Sequence, residues 1–555
     1  RQVSVRGAPR HTSIHYCSTH DKGNSLMNLA DEKWLYYVDD TVVKSMLQAE
    51  PELREMVPGM KERAVSSPAV VQAVSLYLEG RKEEAIRRLE KAAQLPDAAA
   101  DVFSFLANFE IERQRVPEAA GYFEKAIQLN PKSKTDLYNL GVCRYREGNW
   151  SVASDLFRRA AEVDLESGRV ECLLARAICH LHLSEPQAAL DLFEQVLRQE
   201  SDSRTASFGK AVALHLMRKR DEAEQIYRRL QQEDSQAGRP ENAELLLNRL
   251  SIALFVRDET LIRELAEKLL GLGEPLYQMA AQEALATVAF HRERFTDAAK
   301  HLEKLTELMP GVAEAWFNLG VARQQLGQVR PAIEAYLTAV ELEPSLKQAH
   351  ANLGYLHHQR GDGEAARQAY VEALNLDPQM AETMWNLAVL LDQQGHESEA
   401  AVCFEQLTRL APDWEEPWYR LALNHLAAER WDQAIKPLEN CLQLRADWSE
   451  AAVGLAVARA RLGDAEAARS ILESVRSVDP KPGILFNLGV LHQQASRHLE
   501  AAQCYRQAIE AKPDFAEAFL NLGHALDASG KNDEARESWR KAVKLNPAFA
   551  AGFYA

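Results

Sequence analysis

The sequence predicts an all-α protein, a solenoid of about fourteen stacked helical hairpins. Three observations predict it. Apolar residues recur at helical spacing in segments of roughly fourteen residues, separated by Gly or a polar turn. The pattern repeats with a period of 34 residues over most of the 555-residue chain. In the clearest blocks a Gly near the middle and a Pro near the end punctuate the two segments.

The period is clearest in residues 313–346 and 347–380. Trp316, Leu319, Gly320, Gly327, Ala332, Tyr336, Ala339 and Pro344 of the first block return as His350, Leu353, Gly354, Gly361, Ala366, Tyr370, Ala373 and Pro378 of the second. Each choice has a physical reason. The small residue at block position 8 and the alanine at position 20 let two helices approach closely. The Gly at position 15 suits a left-handed helix end. The bulky residue at position 24 fills the space between one hairpin and the next. The Pro at position 32 stops the second helix. One hairpin cannot bury its apolar face alone, whereas a stack can.

These residues and their spacing resemble the tetratricopeptide repeat (TPR) family. The resemblance implies a right-handed superhelix whose concave groove is lined by positions 2, 5, 6, 9, 12 and 13 of each first helix.

Composition narrows the function classes. The 65 Lys and Arg against 81 Asp and Glu give a net charge of −16. An acidic chain is poorly suited to nucleic acid or anionic membranes. No apolar run is long enough to cross a bilayer, so no membrane insertion is expected. Seven Cys without pairing pattern argue against a disulfide framework and for a reducing, cytoplasmic compartment. The chain opens on Arg1, which suggests a processed or truncated product.

In order along the chain, residues 1–30 read as a flexible arm, since they have no apolar period. His11, His15, Cys17 and His20 fall within them as a metal-ligand candidate. Their spacing fits no zinc module, and a tail whose ligands never converge is the better expectation. Residues 31–65 read as an N-terminal helical cap, with Trp34, Leu35, Val38, Val42 and Met46 on one stripe. Five repeats follow over 66–237. The segment 231–241 (QQEDSQAGRPE) reads as a loop, and 238–278 as a degenerate repeat and hinge where the phase slips. Eight repeats occupy 279–549, and 550–555 begin a further, incomplete one, with Phe553 where Phe519 stands in the last block.

The groove positions implied by the resemblance carry two ladders. Asn occupies position 6 in Asn318, Asn352, Asn386, Asn487 and Asn521, with Arg420 in one block. An amide both donates and accepts, so such a ladder can hold a peptide backbone without reading its sequence. It is similar to the asparagine ladder in the TPR arm of O-GlcNAc transferases. Aromatic residues occupy position 5 in Phe317, Trp385, Tyr419 and Phe486, and exposed aromatics in a groove are natural anchor points. On this basis Trp385→Ala with Asn386→Ala is expected to abolish partner capture without loss of helix. The carboxylate clamp known in other TPR grooves is not expected, because Ala351, Tyr355 and Glu416 stand where its other residues are required.

No phosphate-binding, nucleophile-elbow or metalloprotease motif occurs. The expected function is therefore a protein–protein interaction scaffold without cofactor. It would bind a partner protein or extended peptide and take a place in a multi-protein complex. Two alternatives stay open: a substrate-recognition arm or subunit of a larger enzyme such as a glycosyltransferase, and a self-assembling structural repeat.

Overall fold

The computed structural model describes residues 67–163, 169–476 and 481–552. The proposed arm at 1–30, the cap at 31–65, the candidate ligands His11, His15, Cys17 and His20, and Phe553 all lie outside the described residues.

The described residues are helical, without strands, and form fourteen hairpins from 28 α-helices. The chain divides into two compact units at Gly311–Val312. The first holds α1 (Pro68–Leu78), α2 (Lys82–Ala93), α3 (Ala100–Glu112), α4 (Val116–Leu129), α5 (Lys134–Arg146), α6 (Trp150–Val163), α7 (Arg169–His182), α8 (Pro186–Gln199), α9 (Arg204–Leu216), α10 (Arg220–Gln236), α11 (Ala243–Val256), α12 (Glu259–Gly271), α13 (Pro275–His291) and α14 (Phe295–Leu308). The second holds α15 (Ala313–Gln325), α16 (Val329–Leu342), α17 (Lys347–Arg360), α18 (Gly363–Leu376), α19 (Ala381–Gln393), α20 (Glu397–Leu410), α21 (Glu415–Ala427), α22 (Trp431–Leu444), α23 (Ser449–Arg461), α24 (Ala465–Arg476), α25 (Pro482–Gln494), α26 (His498–Ala511), α27 (Ala516–Ala528) and α28 (Asn532–Leu545), closed by a 3₁₀ turn at Pro547–Gly552. Odd-numbered helices are the first helices of their hairpins.

Three positions build the regular hairpins, the exception at position 20 being α11–α12, where Ile262 stands in place of the alanine. Position 20 is an alanine with no exposed surface, as in Ala153, Ala189, Ala223, Ala332, Ala366, Ala434 and Ala535. Its methyl sets the distance between the two helices. Position 8 lies beneath the ring at position 24. A Cβ on Gly320 would stand 2.6 Å from the Tyr336 ring, and one on Gly354 2.4 Å from Tyr370. Position 15 turns the chain in the left-handed region. Glycine takes that place in Gly148, Gly327, Gly361 and Gly463, but Gln114, Ser184, Arg218, Glu293, Glu429 and Ser496 adopt it as well, at φ between 55° and 64°. The turn is thus dictated by the closure of the hairpin rather than by glycine.

Two sequence expectations change. The polar run at 231–236 is helix, not loop, because α10 continues to Gln236. The cause is Asp234, which is buried and pinned by Arg204 Nη2 at 2.7 Å and Arg239 Nε at 2.7 Å. The phase slip at 238–278 also leaves no break in packing. Leu245 and Ile252 of α11 join the core beneath α10, while Leu246 and Leu250 join α12 and α13 through Leu265, Ala280 and Ala284. The division of the chain falls one hairpin later.

Candidate functional site

Within each unit, the first helices of successive hairpins touch one another, as in α1 with α3, α7 with α9, α17 with α19, α21 with α23 and α25 with α27. No two second helices approach to the same extent. The rows therefore close up on the first-helix side, and that face is the inner wall of each unit.

The second unit carries the candidate residues, and their placement differs from the expected exposed anchors. Phe317 is 6 % exposed, Trp385 1 % and Phe486 8 %. The rings are core residues with a regular cover. In three of the four blocks the last residue lies over the ring: Trp414 stands 4.9 Å from Trp385 between ring centres, Trp448 4.5 Å from Tyr419, and Phe515 5.0 Å from Phe486. From the other side Tyr336, Phe404 and Tyr505 pack on Phe317, Trp385 and Phe486. Tyr419 alone of the four is half-buried.

The asparagines are also mostly interior. Asn318, Asn352, Asn386 and Asn487 are buried, while Asn521 is half-exposed. Asn352 shows what such an amide does. Its Nδ2 donates to the Tyr336 hydroxyl at 3.2 Å, across the junction between two repeats. That hydroxyl in turn donates to Gln324 Oε1 at 2.7 Å within its own repeat. Tyr505 and Gln493 repeat the second bond at 2.9 Å. In the first unit Asn248 donates to Tyr227 at 3.3 Å. Where the preceding repeat ends its stack with Phe193, position 6 is Gly209, and a Cβ there would lie 2.2 Å from the ring. Position 6 thus fits the ring of the repeat before it. The carbonyl oxygens of Asn318 and Asn352 are buried without a partner among the described residues. Arg420 is half-buried and reaches Asp392 of the preceding repeat at 3.7 Å.

What the inner wall offers to solvent is a different set. Position 9 is occupied by Val321, Tyr355, Val389, Leu423, Val457 and Val490 in six successive repeats. Tyr355, Leu423 and Val490 are half-exposed, whereas Val321, Val389 and Val457 are buried, and Gln325, Gln359, Gln393 and Gln494 are exposed at the far end of their helices. The period that revealed positions 5 and 6 also contained this apolar line.

In the first unit Ser154 Oγ lies 3.3 Å from His180 Nε2, and His180 Nδ1 lies 2.6 Å from Glu185 Oε2. The order is that of a nucleophile, base and acid. Ser154 sits inside α6, however, where neighbouring N–H groups are committed to the helix and none is free to receive an oxyanion. The arrangement ties α6, α7 and the start of α8 together. Five of the cysteines lack thiolate character at neutral pH. Burial raises the thiols of Cys143, Cys172 and Cys403 to about 11 and those of Cys179 and Cys441 to about 12. Among the described residues no cluster could hold a metal ion, and no helix is long and apolar enough to cross a membrane.

Hairpins of this geometry, with a 34-residue period and a left-handed turn at position 15, define an α-solenoid repeat protein. Profiles of the tetratricopeptide repeat match residues 70–134, 174–240, 283–329, 313–346, 357–423, 425–485 and 486–548, and the chain belongs to that family. A profile of anaphase-promoting complex, cyclosome, subunit 3 matches 112–196. Among curated proteins, rhomboid protease GluP of Bacillus subtilis is 35 % identical over 83 residues, which is 15 % of this chain and 16 % of the relative. The chain therefore spans about a sixth of that relative's length. Among solved structures, the hetero-tetramer Cut9–Hcn1 of the anaphase-promoting complex is similar at 15 % identity and a TM-score of 0.30, over 81 % of this chain and 94 % of that one. MamA of Desulfovibrio magneticus RS-1 matches at 17 % identity and a TM-score of 0.29, over 30 % and 96 %. YrrB, described as a TPR protein with an unusual peptide-binding site, matches at 20 % identity and a TM-score of 0.27, over 39 % and 94 %.

Proposed function

We propose that the chain is an interaction scaffold whose second unit, from Val312 onward, binds an extended peptide or partner segment along its first-helix wall. The observation that carries this is the apolar line at position 9, half-exposed at Tyr355, Leu423 and Val490 and bordered by glutamines at the helix ends. Apolar contact with peripheral amides is what an extended chain requires. Packed helices stand about 8–10 Å apart, and an extended chain advances about 3.3 Å per residue. One repeat then meets every third residue of the ligand, so several weak contacts add along its length.

The ten residues read as a binding set divide by position. Asn521, Tyr419 and Arg420 reach the wall and serve as direct contacts. Phe317, Asn318, Asn352, Trp385, Asn386, Phe486 and Asn487 serve the wall chiefly by holding its helices in register.

The test is affinity capture from lysate of the native source. The full chain is compared with a variant carrying Tyr355→Ala and Leu423→Ala, with helical content checked by circular dichroism. The expected result is a partner retained by the first and lost by the second. Equal capture by both overturns the assignment of the wall.

A further inference from the structure

The first unit carries a surface feature of its own, at the turns that close α9 and α11. Positions 13 and 14 end each first helix. In two successive repeats both are large and apolar, Leu216 with Met217 and Phe255 with Val256. In the other described repeats at least one of the two is polar, charged or small. Leu216 and Met217 are half-buried and pack on the core that includes Ile252 of α11. Phe255 is 49 % exposed and Val256 53 %. No other Phe, Tyr or Trp is exposed among the described residues. The two turns meet: the guanidinium of Arg220, at the start of α10, rests 3.6 Å from the centre of the Phe255 ring.

Cations border these residues. Arg218 and Arg257 take the left-handed turn position of their hairpins, at φ 64° and 59°. Arg218, Lys219 and Arg257 are exposed. Neither Lys219 nor Arg257 meets a carboxylate among the described residues. The acids that follow in sequence are held elsewhere. Asp258 Oδ1 caps α12 by accepting from the Leu261 N–H at 3.1 Å. Glu259 is shared by Arg263, Arg292 and Arg294. Asp221 and Glu222 stand in the first turn of α10, where the helix dipole favours them. The rim is therefore apolar with a basic border, on a chain of net charge −16.

This combination selects a ligand. An aromatic ring beside other apolar groups is an anchor for a bulky apolar side chain. Stacking on Phe255 places the Arg220 charge beside that anchor before any ligand arrives. A second copy of the same rim would set cations against cations. An anionic bilayer offers similar chemistry, but the negative field of the whole chain opposes approach to it. A short acidic segment meets only the charges within a Debye length, about 10 Å, and these include the basic border.

We propose that this rim is a second docking site, for a partner segment in which a bulky apolar residue stands beside Asp or Glu. The apolar residue packs on Phe255 and Val256, and the acid pairs with Arg257. The site is separate from the wall of the second unit and does not depend on that wall being a binding surface.

The test pans a random library of short displayed peptides on the full chain and keeps those not retained by Phe255→Ala with Val256→Ser. Both positions are exposed, so the variant should fold, and circular dichroism checks it. The kept peptides are synthesised and their affinities measured by fluorescence anisotropy. The expected result is a set rich in an apolar residue beside Asp or Glu, bound by the parent at least about tenfold more tightly than by the variant, equal to about 1.4 kcal/mol. Arg257→Glu should also weaken them, and replacing the peptide's acid by Lys should restore binding to that variant. Glu429, at φ 56°, shows that glutamate fits this turn. Tyr355→Ala with Leu423→Ala should leave their affinity unchanged. The absence of any Phe255-dependent peptide, a set without acids, or full affinity on Arg257→Glu would each overturn the proposal. Peptides lost equally on Tyr355→Ala with Leu423→Ala belong to the wall and overturn the second site. Flotation with phosphatidylserine–phosphatidylcholine vesicles, abolished by the Phe255 variant and unaccompanied by peptide enrichment, would assign the rim to lipid instead.

Discussion

The amide of Asn352 and the hydroxyl of Tyr336 meet at 3.2 Å across the junction of two repeats, in a buried position. The tyrosine fills the gap between hairpins and carries a polar atom into it. The asparagine of the next repeat satisfies that atom from one side and Gln324 from the other. The bond therefore fixes both the spacing and the rotation of neighbouring repeats.

Removing one partner should reveal this coupling. Tyr336→Phe is expected to cost about 1–3 kcal/mol, since it leaves the Asn352 amide buried and unpaired. Asn352→Ala should cost a comparable amount, and the double variant less than the sum, with a coupling of about 0.5–3 kcal/mol. Urea denaturation of the four proteins checks it. Strict additivity would mean the bond carries no weight.

Glycines should respond in opposite ways according to what lies above them. Gly354→Ala brings a Cβ to 2.4 Å from the Tyr370 ring, so it should destabilise by about 1–3 kcal/mol despite the better helix former. Gly121, inside α4, has nothing within 4 Å of its missing Cβ. Gly121→Ala should therefore stabilise by about 0.5–1 kcal/mol. Differential scanning calorimetry separates the two signs.

The left-handed turn gives a third prediction. Glu429 holds φ at 56°, a conformation that costs a side-chain-bearing residue about 1–2 kcal/mol. Glu429→Gly should recover about 1 kcal/mol. Gly361→Ala, where φ is 81°, should lose a similar amount.

Stability should fall on mild acidification, in part through His215. Burial first, then Arg220 and Arg218, lower its pKa to about 4 from the ordinary 6.5. The unfolded chain takes up the proton below about pH 6.5 while the folded chain resists it, so stability declines as pH falls from 6.5 towards 4. The full difference is about 3 kcal/mol. Burial also lowers His182, His291 and His301, so the slope is shared. Denaturation midpoints of the parent and of His215→Gln across this range check it: the slope should be shallower in the variant, and equal slopes would remove His215 from the account.

Most of the hairpin was legible in the sequence because its determinants are small and local. An alanine at position 20, a small residue at position 8 and a large one at position 24 leave one way for two helices to pack, and Ala366, Gly354 and Tyr370 pack that way. The exposure of the wall was not legible. Period alone assigns Trp385 to a face, but its burial depends on Trp414, 29 residues later, folding over it. The same holds for Tyr419 beneath Trp448. Position 9 belongs to the groove by resemblance to the family, yet Leu423 and Val490 look like ordinary core residues until their neighbours are placed. The polar end of α10 misled for the opposite reason. Asp234 reads as a loop residue unless the two arginines that bury it are seen.

This changes what the variant first suggested by the sequence would report. Trp385→Ala removes a 1 % exposed side chain between Phe404 and Trp414 and should cost about 3–5 kcal/mol. Any loss of binding by it reflects lost packing as well as lost contact.

The most direct measurement places a photo-crosslinking amino acid at single positions of the full chain, irradiates in lysate of the native source, and maps the attached fragments. Tyr355, Leu423 and Val490 probe the inner wall; Val402 on α20, 56 % exposed, probes the second-helix side. The account predicts a shared partner segment crosslinked from the three wall positions, shifting along its own sequence as the probe moves from 355 to 490, and nothing from 402. The same partner crosslinked from 402, with none from the wall, would contradict it.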